Sequence, residues 1–227
     1  VLVSGVSAAF SIKLTLTPAR LQEAIKSASL LRRGMIHPRN EPIGDLVSPL
    51  IVGVLALSHS GFGRNPAEKI EKILLDAAAD LRPPDMVPGA STSGLASHPR
   101  NELDFVCVAD LDCWHRHPRV FRQPADGGTT PDLQYAATWS SKKKNPQGAD
   151  RVAVPIAILV NELWRKLANR DPSLRQIADG FQWTGTPGVG QGRGAPQPLR
   201  QWVKPETRAK LIENLPAVNG LQLFEVD

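Results

Sequence analysis

Leu50-Ile51-Val52-Gly53-Val54-Leu55-Ala56-Leu57 is an unbroken apolar run bounded by Pro49 and Ser58. It is too short for a buried helix and has no polar alternation, so it reads as a central strand covered on both faces. A second run of the same kind, Leu103-Asp104-Phe105-Val106-Cys107-Val108-Ala109, has Asp104 at its entry and Asp110 and Asp112 at its exit turn. Between the two lies a well-signposted helix over 66–81. Asn65 stands at the N-cap, Pro66 at the first helical position and Glu68 three residues after the cap, while Ile70, Ile73, Leu74, Ala77 and Leu81 make one stripe. Two buried strands joined by a helix cannot form a tight hairpin. They need a crossover, which means a parallel pair and an α/β architecture.

The segment before them repeats the arrangement. Phe10, Ile12 and Leu14 alternate with Ser11, Lys13 and Thr15, as in a strand with two unlike faces. Thr17 can cap the helix that follows and Pro18 opens it; Leu21, Ala24, Ile25, Ala28 and Leu31 form its apolar stripe, with Arg20, Lys26 and Arg32 off it. Beyond the third strand, a shorter strand around 135–140 suits a sheet edge. Residues 150–169 carry Ile156, Leu159, Val160, Leu163 and Leu167 at helical spacing, and Asp171-Pro172 opens a short helix that Gly180 can end. Residues 34–49, 82–101 and 184–198 read as loops, 205–215 as a last helix and 221–226 as a last strand. The expected organisation is an α/β domain over 1–180, with a Gly/Pro-rich loop, a helix and a strand from 181–227 packed on it.

With 227 residues there is enough chain for one well-buried core, and no apolar run approaches the roughly 20 residues that span a bilayer, so no membrane partner is expected. Val1-Leu2-Val3-Ser4-Gly5-Val6 lacks the basic start and small-residue cleavage site of a signal peptide. Two cysteines provide no disulfide framework, which with the missing leader points to a reducing, cytoplasmic setting. The net charge of +5 permits a polyanionic partner without requiring one. Its clusters, Arg32-Arg33, Arg116 to Arg122 and Lys142-Lys143-Lys144, read individually as solvated loops or helix ends.

Two tempting constellations fail their context. Gly188-Val-Gly-Gln-Gly-Arg-Gly194 is rich enough in glycine to approach phosphates, but no strand precedes it, no helix with a Gly-Lys-Ser/Thr start follows, and it reads as a mobile loop. Cys107, Cys113, His115 and His117 gather soft ligands within eleven residues. The cysteines are six apart rather than in a knuckle, so Cys107 reads as core, the histidines as loop residues, and no zinc is expected. His37, His59 and His98 lie in loops or at their edges and have no spacing to a nucleophile.

Val6-Ser-Ala-Ala-Phe-Ser-Ile-Lys13 with the helix after it resembles the E-x-K strand and helix of a restriction-endonuclease-like domain family of unknown function in the PD-(D/E)XK superfamily. That family's segment reads approximately V-x-A-x-x-E-V-K-x-x-L-T. The order of strands and helices agrees over most of 6–180. The resemblance implies a restriction-endonuclease-like α/β fold with a central mixed sheet flanked by helices, its N-terminal elements lying before Val1. It also implies chemistry in which an Asp and the Glu of E-x-K hold Mg²⁺ and the Lys steadies developing charge. Lys13 occupies the lysine position. Ser11 stands at the glutamate position, the upstream aspartate would precede Val1, and Glu23, the helix's one carboxylate, points to solvent. The expected function is therefore a nuclease-like domain associated with nucleic acid and catalytically impaired as it stands. The alternatives are an active metal-dependent nuclease when complete, or a protein-interaction scaffold.

Overall fold

The structure, a computed structural model, describes residues 6–33, 48, 50–79, 102–122, 133–142, 154–180, 189–193, 197–198, 209 and 223–225. Strand β1 (Ala8–Leu16) leads through helix α1 (Pro18–Arg33) to β2 (Ile51–His59), then through α2 (Pro66–Ala79) to β3 (Phe105–Val108). A turn at 109–111 passes into β4 (Asp112–Arg122), followed by β5 (Leu133–Lys142), α3 (Pro155–Arg170), a 3-10 turn (Pro172–Leu174) and α4 (Arg175–Gly180). Strands β6 (Val189–Arg193), β7 (Gln197–Pro198) and β8 (Leu223–Glu225) complete the described elements. The sheet runs β1-β2-β3-β4-β5-β6, with β7 on β5 and β8 on β4. Strands β1, β2 and β3 are mutually parallel and the remaining pairings antiparallel. The chain is thus α/β with a mixed sheet flanked by helices, and the three segments expected to be neighbours are neighbours.

Period 2 sorts the sheet's side chains into two layers. Val52, Val54, Ala56, Val106, Val108, Trp114 and Trp139 share one core with Leu21, Ala24, Ile25 and Ala28 of α1 and Ile70 and Leu74 of α2. On the opposite face Ile51, Phe105, Cys107 and Cys113 pack with Leu159 of α3, and Phe10, Leu55, Leu163 and Leu167 edge that cluster. Both helical crossovers lie on one face because two successive parallel connections of the same hand must. Gly53 is required where it stands: a Cβ there would meet Phe10 Cε1 at 2.5 Å and Phe105 Cβ at 3.0 Å. The Thr17 cap holds, while the Asn65 side chain meets the Glu68 side chain. The Arg20 amide donates to Thr17 Oγ1 at 3.3 Å, and Asn65 Nδ2 donates to Glu68 Oε2 at 3.0 Å.

Several expectations need correcting. Residues 133–142 form an interior strand, with β4 on one side and β6 and β7 on the other, because β6 and β7 come from the Gly/Pro-rich stretch expected to be a loop. Glycine lacks side chains to pack but keeps its ladder hydrogen bonds, so Val189–Arg193 still pairs with β5. Leu31 of α1 is exposed, and the stripe instead continues from Ala28 through Ser29 to Arg32, all buried. In α3, Ile156 is exposed while Glu162 and Lys166 are buried beside Leu159. Residues 34–47, 80–101, 143–153 and 205–208, with His37, His98, Leu81, Lys143 and Lys144, lie outside the described residues. No helix among the described residues is long and apolar enough to cross a membrane.

Candidate functional site

Ser11 and Lys13 sit on β1 opposite Val54 and Ala56 of β2, both half-buried, on the strand face that carries Ala9 into the α1/α2 core. Along this face, toward the carboxyl ends of the strands, apolar side chains give way to polar ones. Thr15 Oγ1 lies 3.1 Å from Ser58 Oγ, and Ser58 Oγ also donates to the Leu14 carbonyl at 3.1 Å. Arg20 Nη1 donates to the Thr15 carbonyl at 2.8 Å, and the Ser60 amide to the Leu16 carbonyl at 2.9 Å, which holds the strand ends level. In open α/β sheets ligands gather outside the carboxyl ends of the parallel strands, the end toward which Lys13, Thr15, Ser58 and His59 lie.

His59, the last residue of β2, places Nδ1 3.0 Å from Oδ1 of Asp110 in the β3–β4 turn. A carboxylate only accepts, so Nδ1 carries the proton in this contact. The imidazole is held by its neighbour rather than loose in a loop, a coupling that the 51-residue separation hid from sequence reading. Beyond it the chain turns at Gly61 and Gly63, with φ of 76° and 79°, before Asn65 opens α2. Left-handed φ favours glycine, so these two positions fix the loop's path.

The superfamily's metal site does not fit these residues. Neither β1 nor β2 contains Asp or Glu, and Asp110, in the β3–β4 turn, is engaged with His59. Among the described residues no three His, Cys, Asp or Glu side chains come together as a metal-binding group. Glu23 is exposed on α1, as its helical angle implied. A hydroxyl at position 11 is a weak ligand for a hard cation, so no chemistry through Mg²⁺ can be built on Ser11 and Lys13.

At the opposite, amino end of the strands lies a buried ionic network, and here Arg32 and Arg116, one residue from each of two basic clusters read as surface, turn inward. Arg32 of α1 pairs with Asp104, donates to the Glu102 carbonyl, and donates to the Leu50 carbonyl at 2.5 Å. Arg116 of β4 reaches Glu102 Oε2 at 2.5 Å and Asp104 Oδ1 at 3.5 Å. The Val52 amide donates to Asp104 Oδ2 at 2.8 Å. Lys166 of α3 donates to the Arg116 carbonyl at 2.9 Å and lies 5.8 Å from the Phe105 ring centre. Burial acts to raise the Asp104 pKa, but the charges of Arg32, Arg116 and Lys166 and the Val52 amide outweigh it and hold the carboxyl well below the usual range. For Arg32, burial lowers the pKa and Asp104 opposes it. A guanidinium ionises so far above neutrality that the pair stays ionic.

His115 belongs to the same interior. It lies on β4, buried, with Nδ1 3.6 Å from Glu162 Oε2, and is not a loop residue; His117 is also on β4. Arg32 and Arg116 face Glu102 and Asp104, Lys166 adds its bond to the Arg116 carbonyl and Glu162 pairs with Arg165 and His115, so the cluster ties α1, β3, β4 and α3 together. Comparison with protein-family models, curated proteins and solved structures finds no match to this chain.

Proposed function

We propose that the chain is a restriction-endonuclease-like domain that associates with nucleic acid through phosphate contacts and does not cut by the two-carboxylate metal route. The observation that carries this reading is the β1–α1–β2 parallel unit with Lys13 on its first strand and Ser11 at the position where the resemblance calls for glutamate. Lys13 keeps a donor for a phosphate oxygen, and the hydroxyls of Thr15 and Ser58 add neutral donors toward the same rim. Serine at position 11 removes one of the two carboxylates that would hold a cation against the scissile phosphate.

The test is cleavage of plasmid, linear and single-stranded DNA and of RNA with Mg²⁺ or Mn²⁺, by the chain itself, Ser11→Glu and Lys13→Ala. No cutting by the unmodified chain is expected. Metal-dependent cutting that Lys13→Ala abolishes would overturn the inactive reading in favour of an active nuclease. Binding is read in parallel from the salt dependence of a labelled duplex, where Lys13→Ala should reduce the slope by about one phosphate contact. A chain that binds no nucleic acid at low salt is a protein-interaction scaffold instead.

A further inference from the structure

Cys107 of β3 and Cys113 of β4 are directly opposed in the antiparallel pair. Both are free thiols and fully buried, packed in the layer that Leu159 of α3 shares with Ile51 and Phe105. Opposed residues of an antiparallel pair place their Cα atoms about 4.5 or 5.5 Å apart, and both spacings lie inside the range of about 4.4–6.8 Å that a disulfide bridges. The two side chains point to the same face of the sheet and lie in one packed cluster. They are the chain's only cysteines, so neither has a competing partner within it.

We propose that Cys107 and Cys113 form an oxidation-competent dithiol, which a small-molecule disulfide closes into a cross-strand bond at a rate set by the undocking of α3. One thiolate attacks the small disulfide, an S–S bond to the protein forms, and one half of the reagent leaves as a thiol. The second cysteine then attacks that mixed disulfide and expels the other half. Two protons and two electrons leave the protein, and the reagent carries them away as two thiols.

The gate follows from burial. In the docked state neither sulfur meets solvent, and Cys113 is held as the thiol by its contact with Cys107, by burial and by the nearby carboxylates of Asp112 and Glu162. A buried, protonated thiol is inert, so exchange waits for the layer to open. What covers the sulfurs is α3, set on the sheet by Leu159 and by the Lys166 bond to the Arg116 carbonyl. The bond would then staple the stem of the 109–111 turn, whose Asp110 holds His59.

The experiment incubates the folded chain with oxidised glutathione and follows intact mass and thiol content after unfolding. The expected product is a monomer lighter by two hydrogens with no free thiol. Leu159→Ala, which removes apolar cover from the sulfurs, should speed its formation by about tenfold or more. Cys113→Ser should instead stop at a glutathione adduct on Cys107. If Leu159→Ala does not fold, the unmodified chain in sub-denaturing urea serves, where the logarithm of the rate should rise with a slope smaller than that of global unfolding. Thiols that persist in the folded chain while the guanidine-unfolded chain oxidises would overturn the dithiol. A urea slope equal to the global one would overturn the gate.

Discussion

Replacing Arg32 by methionine should remove a large fraction of this protein's stability, although the sequence offers Arg32 as half of a surface-looking Arg-Arg pair. The methionine keeps most of the stem's volume and deletes the guanidinium. Three acceptors then lose a donor: the Asp104 carboxylate and the carbonyls of Glu102 and Leu50. Asp104 retains Arg116 and the Val52 amide, so its charge is not wholly abandoned. The two carbonyls at about 1–3 kcal/mol each and a broken buried ion pair at about 3–5 kcal/mol overlap in the same atoms, which sets the net loss at about 3–5 kcal/mol. For a chain of this length that is a fall of roughly 6–20 °C in melting temperature. Arg32→Lys should recover only part of it, since an ammonium cannot present a planar fork to separate acceptors. The assay is thermal and urea unfolding followed by circular dichroism. A methionine variant melting within about 2 °C of the parent would refute the claim that the network holds α1 to the sheet. Acid supplies an independent check. Because Asp104's folded pKa lies below its unfolded value of about 3.9, its contribution is complete above that pH and is lost as the pH falls through and beyond it. The stability gap between the parent and Asp104→Asn should therefore narrow below about pH 4; a gap unchanged between pH 6 and pH 3 would contradict the assignment.

Gly53→Ala should destabilise by about 1–3 kcal/mol, since the new methyl meets the Phe10 ring and Phe105 Cβ in an already filled layer, and Phe10→Leu in the same chain should recover part of the loss in urea titrations. Thr17→Ala removes the oxygen that accepts the Arg20 amide and should cost about 0.5–2 kcal/mol by the same measurement, with Thr17→Ser close to neutral.

The parallel half of the fold was legible because its signals are local. Alternation from Phe10 to Thr15, the Thr17-Pro18 and Asn65-Pro66 helix starts, and apolar runs too short to be helices each fix an element without reference to anything distant. The buried charges were not legible in that way. Arg32 falls four residues beyond Ala28, on the apolar stripe, and that position was the available signal; its partners Glu102 and Asp104 lie about 70 residues on, so the pattern of charge alone favoured solvent. The same holds for His59, whose partner Asp110 comes from another strand end, and for Glu162 and Lys166, which occupy the buried face of α3 through contacts with β4. Strand β6 escaped notice because a glycine-rich edge has no side-chain period to read and is specified by the backbone of β5. At the candidate site, Lys13 and Ser11 were found from a motif, whereas the Thr15–Ser58 contact needed the register of β1 on β2.

Strands β3 and β8 lie end to end along one edge of β4, β3 against residues 112–115 and β8 against 119–121. The first pairing closes across a three-residue turn; the second must wait for a segment about 100 residues downstream. Closing so long a loop is entropically costly, and three residue pairs return little for it, so the two halves of a single strand edge belong to opposite ends of the folding reaction. Native-state hydrogen exchange should show it, with the amides of Arg119 to Phe121 that face β8 exchanging through a smaller opening than those of Cys113 to His115. Equal protection along the whole edge would mean that β8 docks with the core rather than after it. Until β8 arrives, the middle of the sheet presents a short bare edge, which makes the nascent or truncated chain open to pairing with another copy in a way the finished protein is not.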